Sequence, residues 1–76
     1  MMKLWMYEGK KIKLTSVTGR MYVGIVDIFH EAEDNESGIA SLSVEMADGT
    51  YIDFDEPEIV NIEIIETAIQ NLAVAV

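Results

Sequence analysis

The sequence predicts an all-β fold, five strands in a sandwich or small barrel. Three observations predict it. Short segments in which apolar and polar residues alternate recur along the chain. Turn signals containing glycine separate them, Thr18-Gly19 and Asp48-Gly49 foremost. One stretch rich in β-branched and aromatic residues, Met21 to Phe29, carries an interior glycine and is long enough to serve both sides of a barrel. Closing such a sheet would remove most exposed strand edges.

The elements follow in chain order. Residues 10–17, Lys-Lys-Ile-Lys-Leu-Thr-Ser-Val, place Ile12 and Leu14 on one face and Lys11, Lys13 and Thr15 on the other. Thr18-Gly19 then turns the chain, because glycine takes the positive φ a hairpin needs. Met21 to Phe29 is apolar except at Gly24 and Asp27, so both its faces are expected to be buried, with a bend or bulge at Gly24. Asp27 needs a partner, an exposed position or a bend that reorients it. His30 to Gly38 is polar, acidic and turn-rich, a loop. Ile39 to Met46 sets Leu42, Val44 and Met46 against Ser41, Ser43 and Glu45. After Asp48-Gly49, Tyr51 to Phe54 is a short strand stopped by Pro57. Ile59 to Ile65 is the last strand, with Val60, Ile62 and Ile64 on one face.

The barrel spans residues 9–65 of a single domain covering 1–76. Trp5 and Tyr7 precede it and are expected to cover one mouth. In the tail, 66–76, Ala68, Ile69, Leu72 and Val76 continue from Ile65 at the spacing of one helix face, so a C-terminal helical turn is compatible with the sequence. Its apolar end, Asn-Leu-Ala-Val-Ala-Val, is expected to dock on its own barrel or on a neighbouring subunit.

A chain of 76 residues holds one thin core, since a domain this small buries only roughly 60% of its unfolded surface. Such domains lean on disulfides, a metal or a partner subunit. There is no cysteine and one histidine, which excludes disulfides and thiolate sites and leaves oligomerisation as the source of added stability. No apolar run approaches a membrane span, and the N-terminal run is too short for a signal peptide, so a cytoplasmic location is expected.

The net charge of −9 is unevenly placed. Lys3, Lys10, Lys11, Lys13 and Arg20 all lie in the first 20 residues beside the single acid Glu8, giving that stretch +4. The rest holds 13 acids and no Lys or Arg. DNA binding is not expected from such a balance. The basic segment of one copy could steer association with the acidic surface of another, or both could be solvated strand faces.

The segment Val17-Thr18-Gly19-Arg20-Met21-Tyr22-Val23-Gly24-Ile25-Val26-Asp27-Ile28-Phe29 and the closing strand Ile59-Val60-Asn61-Ile62 resemble the two motifs of the Sm-like (LSm) family. The shared features are the turn glycine with its basic neighbour, an aromatic residue, the bend glycine and an apolar run ending in Phe. The resemblance covers about residues 9–65 and suggests a small, divergent member of bacterial or phage type. It implies a strongly bent five-stranded barrel of the Sm-like or SH3-like kind. It also implies rings formed by pairing the last two strands between neighbours, which puts Ile52, Phe54, Ile59, Val60 and Ile62 at an interface between copies. The family's RNA pocket maps onto His30, Asp34, Asn35, Asp55 and Glu56. His30 stands where the family has Asp, Asn35 comes one residue late with Asp34 in its place, and Asp55-Glu56 replaces Arg-Gly. Arginine grips phosphate through a fixed fork of donors and a carboxylate repels it, so uridine-type binding is expected to be lost or strongly altered.

Other groups read as ordinary surface. His30 starts a loop with no nucleophile pattern near it. Glu31, Glu33, Asp34, Asn35 and Glu36 could hold a hard cation but lack the spacing of a calcium loop, and a solvated loop fits them. Asp53, Asp55, Glu56 and Glu58 flank the turn at Pro57. No catalytic residue, metal ligand set or cofactor motif is found, so no enzyme is expected. The sequence and the resemblance therefore point to a homo-oligomeric, ring-forming interaction module that pairs with itself and binds a further protein or no polymer at all. RNA bound through Lys10, Lys11, Lys13 and Arg20 is the alternative, and cation binding by the acidic loop a weaker one.

Overall fold

The computed structural model describes residues 3–67, with side chains through Ile65. Five strands, β1 (Lys10–Ser16), β2 (Met21–His30), β3 (Ser41–Met46), β4 (Tyr51–Asp55) and β5 (Ile59–Thr67), form one antiparallel sheet in the order β4-β3-β2-β1-β5. Single 3-10 turns at Leu4–Tyr7, Ala32–Asp34 and Glu56–Glu58 lie between or before them. Strand β5 runs through Thr67, beyond the Ile65 limit read from sequence. The expected helical turn from Ala68 onward lies outside the described residues. Among the described residues, no helix is long and apolar enough to cross a membrane.

Two hairpins share one geometry. Ser16 donates its backbone N–H to Arg20 at 2.8 Å, and Gly19 donates back to Ser16 at 2.9 Å. Met46, Thr50 and Gly49 repeat this at 2.8 and 2.9 Å. Gly19 and Gly49 sit at φ 88° and 89°, the left-handed region of a three-residue hairpin loop.

The core is Leu4, Ile12, Leu14, Val26, Leu42, Val44, Phe54, Ile59 and Ile62. Ile12, Leu14, Val26 and Leu42 have 0% exposure. A flat sheet with no helix packed on it would leave such residues wet, so the dry interior requires the sheet to curl over its own inner face. Tyr22 on β2 meets Phe54 on β4 with ring centroids 5.0 Å apart, although β3 separates the two strands in the ladder. Each fully buried aliphatic side chain contributes about 1.5–3 kcal/mol.

Bulges provide the curl. The β2–β3 register shifts between Val26 and Ile28, leaving Asp27 as the extra residue. The β1–β5 register shifts twice, with Val60 and Ile65 as the extra residues on β5. An extra residue bends its strand and raises the local twist. Asp27 is thereby exposed and needs no buried partner. Gly24, where the bend was expected, pairs in register with Ile12 and Met46. Its role is close approach: a Cβ there would meet the Glu45 carbonyl oxygen at 2.5 Å and Val44 Cγ1 at 2.7 Å.

Two expectations are corrected. Only one face of β2 is buried, because Met21, Val23 and Ile25 point outward and stay exposed. At the N-terminus it is Leu4 that plugs the interior, at 2% exposure, with Tyr7 packed beside it, while Trp5 remains 61% exposed.

Candidate interaction edges

The sheet curls without closing its ladder. Among the described residues, β4 and β5 pair only with β3 and β1, so each leaves one edge open. Which backbone groups face the open side of β4 follows from the bonds at its two ends. Met46 bonds Thr50, and Glu56 donates to Ala40 at 2.9 Å. Hydrogen-bonded pairs alternate along an antiparallel ladder. Ile52 and Phe54 therefore bond to β3, while Tyr51, Asp53 and Asp55 present theirs outward. Glu58 covers the Asp55 N–H at 2.9 Å, which leaves the amides of Tyr51 and Asp53 on the open side.

The interface residues implied by the resemblance divide in two. Phe54, Ile59 and Ile62 are buried in the protomer's own core, whereas Ile52 and Val60 are exposed on the two edge strands. Tyr51, Ile64 and Ile65, also exposed on those strands, extend the apolar character of both edges.

The five pocket-equivalent positions are occupied by structural bonds. Asn35 donates its side-chain amide to the Ile39 carbonyl at 2.7 Å, which ties the loop after β2. Asp34 donates its backbone N–H to Glu31 in the 3-10 turn at 3.0 Å. Glu31 is held above the usual carboxylate range by its hydrogen bond with Glu33, and by the charges of Glu33 and Asp34. The Glu56 amide joins the end of β4 to Ala40 before β3. A cavity of about 620 Å³ opens there between the loop, the Glu56–Glu58 turn and the N-terminal turn. Leu4, Trp5, Phe29 and Ile39 line much of it, and of the five positions only Glu56 reaches it.

His30 lies on the outer face, where its Nε2 is 3.1 Å from Ser43 Oγ. Ser43 in turn donates to Asp53 Oδ1 at 2.5 Å. The row His30, Ser43, Asp53 crosses β2, β3 and β4 and contains the three residue types of a hydrolase triad, but in the wrong order. Serine has one hydroxyl proton, and it goes to the carboxylate. The imidazole therefore donates to Ser43 and cannot serve as its base. The row is a cross-strand tie at the open edge.

Lys11 and Lys13 lie on the outer face of β1, in register with Glu66 and Glu63 on β5. Lys10 alternates to the other side, and Arg20 sits past the opposite end of the strand. These four cations therefore do not converge on one patch. Among the described residues, no group of three or more His, Asp or Glu side chains is arranged to hold a metal ion. Sequence reasoning missed Leu4, the Ser43–Asp53 bond, and Glu8, whose carboxylate accepts the Phe29 N–H at 2.9 Å. The alternation of β3 and β4 puts Ser43 and Asp53 on one face, and their pairing becomes visible once the hairpin register is fixed.

Comparison of the chain with protein-family models, with curated proteins and with solved structures finds no match.

Proposed function

We propose that this protein is a self-assembling interaction module of the Sm-like kind, in which copies join head to tail through the open edges of β4 and β5. The observation that carries this reading is that, among the described residues, the two strands at opposite ends of one sheet each leave an edge unpaired, each bearing exposed apolar side chains, Tyr51 and Ile52 on β4 and Val60, Ile64 and Ile65 on β5. Open edges are templates for further strands, and natural proteins normally blunt them. A contact between two different edges is heterologous, and it closes into a ring when the rotation per copy divides a full turn. A thin core gains stability from such a contact. Asp55 and Glu56, standing where the family has Arg-Gly, argue against phosphate recognition at the pocket-equivalent site, so the partner is protein. The test is mass in solution by light scattering or native mass spectrometry at micromolar concentration. An integral multiple of the 8.5 kDa protomer is expected, and a strict monomer contradicts the proposal.

A further inference from the structure

We propose that the open edge of β4 is a docking site for an extended partner segment in which Lys or Arg alternates with aliphatic residues. The protein already contains one such pairing. On β5, Glu63 lies opposite Lys13 on the outer face, while Ile62 and Ile64 lie opposite Leu14 and Ile12 on the inner face. The strand that docks there reads Lys11-Ile12-Lys13-Leu14. On β4, Ile52-Asp53-Phe54 repeats the order of Ile62-Glu63-Ile64, apolar, acid, apolar. Phe54 faces the core and Asp53 is exposed, so the acid is again on the outer face.

The backbone fits as well. Asp53 turns its N–H and C=O to the open side, as Glu63 must to pair with Lys13. The lysine that stands opposite Glu63 in the β1–β5 ladder has no counterpart on β3 or β4, because the sequence holds no Lys or Arg beyond Arg20. The outer face of β3 and β4 carries Glu45 and Asp53 and no Lys or Arg. Tyr51 stands opposite Glu45, and the charges of Glu45 and Asp27 push its hydroxyl above the usual phenol range. An incoming Lys or Arg opposite Asp53 would relieve that field and could lie against the Tyr51 ring. Main-chain bonds would supply affinity and the alternating side chains would supply selectivity, as in other strand-addition complexes. The inference rests on β4 being an open edge. Self-assembly competes for the same edge but is not needed.

The test uses a fluorescent, end-blocked peptide with the sequence of residues 9–17, Gly-Lys-Lys-Ile-Lys-Leu-Thr-Ser-Val, titrated with the full chain and followed by anisotropy. A second peptide carries Glu at the three lysine positions. Binding of the basic peptide alone is expected. It should weaken about tenfold with Asp53→Lys, since an opposite-charge pair becomes a like-charge one. It should be unchanged with Glu33→Lys on the distant loop. Asp53→Asn gives the same comparison with a smaller loss if the reversal does not fold, as judged by circular dichroism. No binding, equal binding of the acidic peptide, or equal loss in Asp53→Lys and Glu33→Lys would overturn the proposal. Mass measured without peptide keeps the two readings apart. A monomer that binds the basic peptide upholds this inference and removes self-assembly, while an oligomer that never takes the peptide does the reverse.

Discussion

Replacing Gly24 with alanine tests the close approach of β2 to β3. The new Cβ would sit 2.5 Å from the Glu45 carbonyl oxygen, 2.7 Å from Val44 Cγ1 and 3.2 Å from the Glu45 carbonyl carbon. Two of these contacts belong to backbone, which cannot rotate out of the way. Relief requires β2 and β3 to separate at the rung where Gly24 pairs with Met46 and Ile25 with Glu45. Overpacking of this kind costs about 1–3 kcal/mol, and a stretched ladder bond adds about 0.5–1.5 kcal/mol. Alanine returns about 0.4–1 kcal/mol by restricting the unfolded chain. The net expectation is a loss of about 2 kcal/mol, which in a domain of this size lowers Tm by roughly 8–16 °C. Urea and thermal unfolding followed by circular dichroism measure it. A Gly24→Ala protein as stable as the wild type would refute the close approach.

Leu4→Ala should cost about 2–5 kcal/mol, because Leu4 is a core residue in spite of its place at the chain start; a loss below about 0.5 kcal/mol in the same unfolding assay would show that the N-terminal turn is not part of the core. The Asp48 carboxyl is held below its ordinary value by the Thr50 hydroxyl at 2.7 Å and then by the Thr50 N–H at 3.0 Å. A lowered folded pKa stabilises the hairpin above the unfolded value and loses that contribution as pH falls through the folded one. Thr50→Val should therefore move the Asp48 titration upward in carboxyl-detected NMR, and an unmoved curve would exclude the hydroxyl as the main cause. Tyr51→Pro removes a donor from the open side of β4 while sparing the β3 ladder; it should shift any oligomer toward monomer with the far-ultraviolet spectrum retained, and an unchanged mass would place the contact elsewhere.

The fold was legible where alternation and turn chemistry agree. Ile12 and Leu14 against Lys11 and Lys13, or Leu42 and Val44 against Ser43 and Glu45, declare strand, face and order without further help. Position 27 was not legible in the same way. An extra residue leaves no mark in a nearly continuous apolar run, so Gly24 drew the bend that belongs to Asp27, and the outward Met21, Val23 and Ile25 were assigned to a second core face. Leu4 was hidden behind its larger neighbour Trp5. Hydrophobicity alone does not tell which side of a single helical turn faces inward. The acidic residues of β4 were visible as a cluster, but only the ladder shows which of them stand beside open backbone groups. Asp55 is covered by Glu58, and Asp53 is tied to Ser43 with its amide outward.

The central claim, that the β4 edge pairs between copies, is tested most directly by amide hydrogen exchange resolved to single residues across a range of protein concentrations. The amides of Ile52 and Phe54, bonded to β3, should be protected throughout. Those of Tyr51 and Asp53 should gain protection as concentration rises and copies join. Fast exchange at Tyr51 and Asp53 at every concentration, beside protected Ile52 and Phe54, would contradict the account.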